Sequence, residues 1–390
     1  MMDYEKILNP TVTRDIKPSG IRRFFDIAAS MEGVISLGVG EPDFPTPWHI
    51  RRAGIKSLEG SKTRYTSNSG LIELRAEICK YISRRYNVDY APDSEVLVTV
   101  GGSEGIDAAI RALVAYGDEV IIPQPSFVCY EPIVRLAGGV PVIVNLKAEN
   151  DFRLTAKELR EAITDKTKLL VFPFPSNPTG AIMEREDLEE IAEVLRGTNV
   201  LVLSDEIYAE MTYGKEHCSI ASVDGMRERT VIVSGFSKAY AMTGWRLGYL
   251  CAPAPMTEQM LKIHQYCIMS SPTTAQFAAI EALKNGDEDV KMMVDEYNRR
   301  RRYIYNGLKD IGIDSFEPEG AFYIFPYIGK FGLTSDEFCS RLLYEHKCAI
   351  IPGTAFGAGG EGFARISYAY SIKHITAALE RIEKFVKTLK

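Results

Sequence analysis

The sequence has little that would attach the chain to a membrane or to a nucleic acid. No run approaches the roughly 18 apolar residues that a membrane-spanning helix requires, and Met1–Lys6 lacks the apolar character of a secretory signal. Positive charge is not in excess, because the chain has 46 Lys and Arg residues and 52 Asp and Glu residues, which gives a net charge of −6. Such a field repels polyanions. We therefore expect a cytoplasmic protein with neither a membrane nor a nucleic-acid partner.

Cysteine and histidine are too scattered to suggest a metal centre. His346 and Cys348 form one close pair, whereas a structural zinc site needs four ligands. No C-x-x-C pair occurs, and the odd number of cysteines favours reduced thiols in a reducing compartment. We predict no metal. The seven cysteines are Cys79, Cys129, Cys218, Cys251, Cys267, Cys339 and Cys348.

The middle of the chain is predicted to be α/β. From about residue 95 to 252, short β-branched runs alternate with helical patterns, which is typical of βαβ units and a mainly parallel sheet flanked by helices. Thr155 followed by Glu158 predicts a helix start, and Gly197 after Arg196 predicts a helix end. The predicted strands are Val96–Val100, Glu119–Ile122, Val140–Val144, Lys168–Phe172, Val200–Ser204, Val231–Ser234 and Leu247–Cys251.

After about Lys284 the pattern changes to a long charged helix, several short strands and a final amphipathic helix, which predicts a smaller α+β domain. We therefore predict a large domain over 45–284. A small domain would comprise 1–44 and 285–390.

One glycine-rich segment imitates a nucleotide fingerprint. Residues 357–362 match G-x-G-x-x-G, but a strand is predicted after them, whereas a true fingerprint opens a helix. We expect a hairpin loop there. No G-x-x-x-x-G-K-[ST] phosphate loop is present.

Lys238 stands among small and apolar residues just after a predicted strand. Burial would lower its pKa and favour the neutral amine that forms an imine, although a surface lysine is the commoner alternative. The stretch 234–248, with Arg246 eight residues after Lys238, resembles the lysine signature of class I aminotransferases. These are fold-type I enzymes that use pyridoxal 5'-phosphate (PLP). The resemblance implies that Lys238 carries the cofactor as an imine and moves the proton from the substrate Cα, and that Arg246 binds the phosphate.

Further segments match this family in order and spacing, from about Ser19 to Ser371. Asn177, in the loop 174–180, resembles the asparagine that bonds the cofactor's O3′, although Asn-Pro-Thr-Gly is also an ordinary turn. Asp205 lies at the end of a predicted strand, where ligands bind in open α/β sheets. It resembles the carboxylate that keeps the pyridine nitrogen protonated; pairing with a lysine is the alternative. Tyr208 would bond O3′.

The segment Val100–Gly105 is expected to end a strand and open a helix, so its free N–H groups would face an anion. A tight glycine turn is the alternative. Gly235 stands where many family members have a serine that bonds the phosphate, so Ser237 or water would make that contact. The resemblance places these residues at the cofactor: Gly102, Ser103, Glu104 and Ser237.

Two aromatic residues extend the resemblance. Phe127 falls where the family stacks a ring on the cofactor, and a core position is the alternative. Tyr65 resembles the tyrosine that reaches the phosphate of the other subunit, and loop packing is the alternative. The resemblance to that segment implies a homodimer with shared active sites.

Arg365 resembles the arginine that takes the substrate α-carboxylate, which a guanidinium matches through two parallel hydrogen bonds. Gly40 and Asn177 would contribute to the same substrate site. The family's substrates are an amino acid and a 2-oxo acid.

The resemblance leaves the amino donor open among aspartate, aromatic and N-acetyl-diaminopimelate types. Ser103 occupies a position where some aspartate-using members have a lysine, which weakens an aspartate-only assignment. The segments Ser19–Phe24, Gly40–Phe44 and Leu203–Tyr208 resemble the N-acetyl-diaminopimelate type most closely. A cystathionine β-lyase on the same fold is the enzymatic alternative. A PLP-sensing regulator is disfavoured. Such proteins carry an added N-terminal DNA-binding module, whereas here the resemblance to the aminotransferases begins at about Ser19.

Overall fold

The computed structural model describes residues 30–389 and, before them, Met2–Tyr4, Thr13, Ile16, Gly20, Phe24 and Ile27. Of the segment Ser19–Phe24, only Gly20 and Phe24 are described, so the interpretation of that motif lies outside the described residues.

Twelve strands are present in the described part of the chain. Seven of them, β2 to β8, form a central sheet and confirm all seven predicted strands, to within two residues at each end. Their bounds are β1 Ile35–Ser36, β2 Val96–Thr99, β3 Glu119–Gln124, β4 Val140–Asn145, β5 Thr167–Phe172, β6 Leu201–Asp205, β7 Thr230–Gly235, β8 Gly248–Cys251, β9 Tyr323–Ile324, β10 Cys348–Ala349, β11 Ile351–Pro352 and β12 Ala364–Ser367.

The central sheet has the order β2-β8-β7-β6-β5-β3-β4. Only β8 runs antiparallel to its two neighbours. Strands β2 and β7 are buried at every position and carry β-branched and leucine side chains, as expected for a sheet covered by helices on both faces. The carboxyl ends of the parallel strands therefore meet at one edge of the sheet.

Eleven α-helices lie between and around these strands in the same part of the chain. Their bounds are α1 Trp48–Glu59, α2 Ile72–Tyr86, α3 Gly102–Leu113, α4 Tyr130–Leu136, α5 Ala156–Ala162, α6 Arg185–Leu195, α7 Ala254–Cys267, α8 Thr273–Asn285, α9 Asp287–Ile311, α10 Ser335–His346 and α11 Ile372–Thr388.

The predicted helix ends are confirmed by their local chemistry. Thr155 and Glu158 form a reciprocal capping box at the start of α5, which satisfies two backbone N–H groups. Helix α6 ends at Leu195 with Arg196 as its cap, and Gly197 follows with a φ of 75°.

The C-terminal strands form separate small sheets. Strands β9, β11 and β12 make an antiparallel sheet, and β1 pairs in parallel with β10. The N-terminal residues Ile35–Ser36 therefore lie with the C-terminal elements. The glycine-rich segment 357–362 lies in the loop that connects the antiparallel strands β11 and β12. It is followed by a strand, as predicted, whereas a nucleotide fingerprint would be followed by a helix.

Candidate active site

A cavity of about 340 Å³ lies at the carboxyl edge of the central sheet and is closed on one side by residues of the C-terminal part. This volume falls in the range of small-molecule sites, and the carboxyl edge is where open α/β sheets bind ligands. The following residues line it: Val39, Gly40, Glu41, Gly102, Ser103, Ile106, Phe127, Tyr130, Pro173, Pro175, Asn177, Asp205, Ile207, Tyr208, Ser237, Lys238, Thr243, Arg246, Tyr323 and Arg365.

Lys238 follows β7 by three residues, so its amine projects into the cavity from the sheet edge. The Nζ atom donates a hydrogen bond to the carbonyl oxygen of Gly40 over 2.6 Å. Burial lowers the pKa of the amine to about 8, the Glu41 carboxylate opposes this shift, and the Arg365 and Arg246 guanidinium groups add to it. The neutral fraction of this amine near neutral pH is therefore larger than that of an ordinary lysine.

Asp205 is the last residue of β6 and is almost completely buried. Its Oδ2 atom accepts a 2.7 Å hydrogen bond from the Tyr130 hydroxyl, and Oδ1 accepts one of 3.2 Å from the backbone N–H of Ile207. Burial raises the pKa of the carboxyl, while these two donors oppose the rise. Asp205 is thus a buried carboxylate in the cavity, and two hydrogen-bond donors fix its orientation.

Two tyrosines join the sheet edge to the C-terminal part. The hydroxyl groups of Tyr208 and Tyr323 lie 2.8 Å apart, and burial raises the pKa of both phenols. Tyr323 also limits the space at Gly40, where an added Cβ would collide with its hydroxyl. Only glycine permits this close approach at position 40.

Arg365, on β12, is 3% exposed and lies against the rings of Tyr323 and Phe356, at 4.6 and 4.8 Å from their centroids. Its Nη1 atom donates to Oδ1 of Asn177 over 3.0 Å, and Nη2 donates to the carbonyl oxygen of Gly38. The Nε atom is buried without a hydrogen-bond partner among the described residues. No described carboxylate pairs with the guanidinium, and burial lowers its pKa. The cavity therefore offers a buried cation to an anion from outside the chain.

The opposite end of the cavity combines a helix N-terminus with a cation. Gly101 has a φ of 77°, which allows the sharp turn from β2 into α3, and an added Cβ would lie 2.6 Å from Nη2 of Arg246. Ser103 in the first turn of α3 and Ser237 beside Lys238 also line this end. Free backbone N–H groups, a guanidinium and hydroxyls are the groups that bind a phosphate.

Most sequence-predicted site residues come together in this cavity. Eleven of the thirteen line it: Gly40, Gly102, Ser103, Phe127, Asn177, Asp205, Tyr208, Ser237, Lys238, Arg246 and Arg365. Glu104 does not, because its carboxylate turns away to His264 and to the backbone N–H of Val100. Tyr65 is also absent from the lining of this chain's cavity and is 79% exposed.

Three ionisable lining residues were not anticipated from the sequence. Tyr130 follows Phe127 by three residues and is the first residue of α4, so its only signal in the sequence was that proximity. Tyr323 comes from a distant strand, and no local pattern marks it. Glu41 stands in the same Gly-Glu-Pro-Asp-Phe segment as Gly40 and could have been found there.

The residues fit a phosphorylated pyridine aldehyde. Gly101 leaves space that a side chain would fill beside Arg246, at the phosphate end. At the other end Asp205 suits a protonated ring nitrogen, and Lys238 lies between the two ends with a lowered pKa. The mainly parallel sheet and this set of residues together define a PLP-dependent enzyme of fold type I.

Comparison with known proteins then gives the family. The family description "Aminotransferase class I and II" matches residues 32–382. A Bacillus subtilis (strain 168) protein named as a probable N-acetyl-LL-diaminopimelate aminotransferase is 44% identical over 98% of this chain and 96% of its own length. A Pyrococcus abyssi (strain GE5 / Orsay) aspartate aminotransferase is 45% identical over 96% of this chain and 97% of its own. The crystal structure of an aromatic aminotransferase from Pyrococcus horikoshii OT3 superposes with a TM-score of 0.90 at 42% identity, covering 94% of this chain and 99% of that one.

The chain belongs to the class I and II aminotransferase family. It is a PLP-dependent aminotransferase, and its substrates are an amino acid and a 2-oxo acid. The relatives support transamination and give no support to the cystathionine β-lyase alternative. None of the helices in the described part of the chain is long and apolar enough to cross a membrane. The same residues contain no group of three or more His, Cys, Asp or Glu side chains placed to hold a metal.

Proposed function

We propose that Lys238 is the catalytic amine of this aminotransferase and that Asp205, Tyr208, Asn177, Arg246 and Arg365 complete its active site. The observation that carries this proposal is the position of the Lys238 amine, which has a pKa of about 8 and lies in the cavity between Asp205 and Arg246. A neutral amine at this position can act as both nucleophile and base.

PLP bound in the cavity would supply an electron sink that acidifies the Cα–H bond of the amino acid. Arg246, Gly102, Ser103 and Ser237 would hold its phosphate, and Phe127 would cover its ring. Asp205 would keep a proton on the ring nitrogen, since its carboxylate is oriented by Tyr130 and by the N–H of Ile207. Tyr208 and Asn177 would donate to its O3′.

Lys238 would remove the proton from the substrate Cα and deliver it two atoms further along, across the imine nitrogen, to the carbon of the former aldehyde. The Nζ atom can serve both positions because it lies on a flexible stem, and its hydrogen bond to the Gly40 carbonyl keeps the stem on the Gly40 side of the cavity. A base with a pKa near the working pH is the most effective in such a transfer.

The substrate α-carboxylate would bind Arg365. Its guanidinium is buried, has an unpaired Nε and lies next to the side-chain oxygen of Asn177. Binding a carboxylate there relieves the cost of an uncompensated buried charge. Gly40 would bring its backbone to the same end of the substrate.

The donor side chain would not be restricted to that of aspartate. Ser103 contributes an uncharged hydroxyl to the cavity at the position where a lysine would read a distal carboxylate. The three relatives named above are called N-acetyl-diaminopimelate, aspartate and aromatic aminotransferases. All three donor types therefore belong in the test.

We further propose a cytoplasmic homodimer in which Tyr65 of each subunit completes the phosphate site of the other. Tyr65 is exposed on its own chain although its neighbours are anchored to α8 by hydrogen bonds from Thr273 and Gln276. A large side chain held outward in this way is suited to contact a second copy. The proposed division is a large domain over 45–284 and a small domain of 1–44 and 285–390.

The experiment is a single-turnover assay with each donor in turn: glutamate, aspartate, phenylalanine, tyrosine, N-acetyl-diaminopimelate and cystathionine. The purified holoenzyme is mixed with one donor and no acceptor, and the 2-oxo acid released per active site is measured together with the cofactor's absorption spectrum. One equivalent of 2-oxo acid from a donor, followed by recovery of the first spectrum on addition of a second 2-oxo acid, identifies the substrate. Release of pyruvate and a thiol from cystathionine in many turnovers would contradict the proposal.

A further inference from the structure

A buried hydrogen-bonded pair of side chains, His264 and Glu104, lies behind the turn at the phosphate end of the cavity. His264, on α7, is completely buried, and its Nδ1 atom lies 2.8 Å from Oε1 of Glu104 on the neighbouring helix α3. The other ring nitrogen, Nε2, is buried and has no hydrogen-bond partner among the described residues. The Glu104 carboxylate is thus the polar group that compensates the burial of this histidine.

The same carboxylate reaches back across the turn. Oε2 of Glu104 accepts a 2.8 Å hydrogen bond from the backbone N–H of Val100, the residue that follows β2. Glu104 itself lies in the first turn of α3, after Gly101 and Gly102. One side chain therefore ties the strand end to the helix start and anchors both to α7.

The groups that face the phosphate end lie within the segment that Glu104 ties together. Gly102 and Ser103 line the cavity between the two anchored residues, and Gly101 is in close contact with the Arg246 guanidinium. A glycine pair has little intrinsic preference for one backbone conformation. An external constraint is needed to keep its N–H groups at fixed positions.

We propose that Glu104 and His264 are positioning residues that hold the Val100–Ser103 turn in its phosphate-binding conformation. Glu104 acts through the backbone and does not contact the phosphate, since a carboxylate directed at a phosphate would repel it. This inference rests on the proposed phosphate site at Arg246, Gly102 and Ser103.

The test uses the full chain, from which PLP is removed and to which it is added back. Glu104→Ala leaves the Val100 N–H and His264 without their partner, so we expect the dissociation constant for PLP to rise about tenfold or more, the equivalent of about one charge-assisted hydrogen bond. The concentration of inorganic phosphate that competes with PLP should rise as well. At saturating PLP, kcat and the donor KM should stay within about threefold, because the change is confined to the phosphate end. Glu104→Gln keeps an acceptor for the Val100 N–H and should restore most of the affinity.

Glu95→Ala is the matched control. Glu95 is as buried as Glu104, accepts a 2.8 Å hydrogen bond from the backbone N–H of Ala91 and pairs with Arg227 at 2.7 Å, but it lies away from the cavity. It should lower the melting temperature of the apoenzyme and leave the PLP dissociation constant unchanged. An unchanged constant in Glu104→Ala, or the same rise in Glu95→Ala, would overturn the inference.

Arg246→Lys separates the inference from its premise. If this variant binds PLP and inorganic phosphate as the parent does, the proposed phosphate site is wrong. If Arg246→Lys weakens binding while Glu104→Ala does not, the phosphate site stands and the positioning role is wrong. Should Glu104→Ala fail to fold, His264→Gln, which retains a donor towards Glu104, gives the comparison with a smaller perturbation; unchanged PLP affinity in both His264→Gln and His264→Leu would then overturn the role of His264.

Discussion

The hydroxyl of Tyr130 donates a 2.7 Å hydrogen bond to Oδ2 of Asp205, the carboxylate at the end of the central strand β6. Burial raises the pKa of this carboxyl, and the tyrosine hydrogen bond works against that rise. Tyr130 is therefore a positioning residue for Asp205, since it acts on the orientation and the ionisation of the carboxylate.

Tyr130→Phe should move the acidic limb of the kcat profile to higher pH. The substitution removes a donor that stabilises the ionised carboxylate, so the pKa of Asp205 rises and the active, ionised form is lost at a higher pH as the pH falls. On the acidic limb we expect kcat at a given pH to fall about tenfold, the effect of about 1.5 kcal/mol for a hydrogen bond to a charged group. Tyr90→Phe is the control, because the Tyr90 hydroxyl is buried with no hydrogen-bond partner in the described part of the chain. Equal pH profiles for Tyr130→Phe and the parent would contradict the role of Tyr130 in positioning and ionising Asp205.

Lys238→Ala should keep the fold and lose nearly all turnover. The variant lacks both the nucleophile and the base, and loss of general base catalysis alone costs about 10²–10⁴-fold. We expect kcat to fall by at least about 10³-fold, measured with the best donor of the panel. Retained binding of PLP, followed by dialysis and absorption, shows that the site has not collapsed. Substantial multiple-turnover activity would refute the assignment of Lys238.

Arg365→Lys should weaken the use of every amino donor. The lysine cannot form the two parallel hydrogen bonds of a guanidinium, so kcat/KM should fall by about 5–150-fold, equivalent to about 1–3 kcal/mol. Arg75→Lys is a matched control, because Arg75 is also buried, also has an unpartnered Nε, and donates to backbone carbonyls of Pro92 and Asp93 away from the cavity. An unchanged KM and kcat/KM in Arg365→Lys would contradict the carboxylate site.

The Lys238 amine should titrate well below an ordinary lysine, with a pKa of about 8. Its folded-state pKa is lowered to about 8, so the neutral, reactive form is present above pH 8 and is lost as the pH falls through that value. Pulse labelling of the apoenzyme with an amine-reactive reagent, read by mass spectrometry of the Lys238 peptide, gives the midpoint. Glu41→Gln should shift the midpoint to lower pH, because the Glu41 carboxylate stabilises the ammonium form. Glu186→Gln on the outer helix α6 should leave it unchanged, and a midpoint near 10.4 in the parent would contradict the burial argument.

Shared active sites predict complementation between two damaged subunits. Tyr65→Ala and Lys238→Ala impair different residues of one site, so a hybrid of the two subunits would regain one site with both residues intact. Random mixing after mild dissociation should restore up to about a quarter of the parental activity at limiting PLP, if half of the dimers are hybrids with one intact site each. Mixing either variant with itself is the control. No recovery despite hybrid formation, verified by mass, would argue that Tyr65 serves only its own subunit.

The class of fold and most of the site followed from the sequence because their signals are local. The β-branched runs set the seven strands, and the Thr155–Glu158 capping box set a helix start, since both depend on neighbouring residues. Lys238, Asp205 and the Val100–Gly105 turn lie at the same cavity because each stands at or just beyond the carboxyl end of a strand, and parallel strands end at a common edge. Glu104 was predicted to bind the cofactor on the same grounds, but helical geometry turns its carboxylate towards His264.

Only the tertiary structure decided which residues that are far apart in the chain come into contact. The sequence by itself determined the α/β class, the resemblance of the Lys238 segment to the aminotransferase signature and the absence of long apolar runs. It contained no signal that Tyr323 meets Tyr208, that His264 meets Glu104, or that Tyr130 orients Asp205. The physical reason is that periodicity and capping report on the nearest few residues, whereas these pairs form when helices and sheets pack and each buried polar group must find a partner.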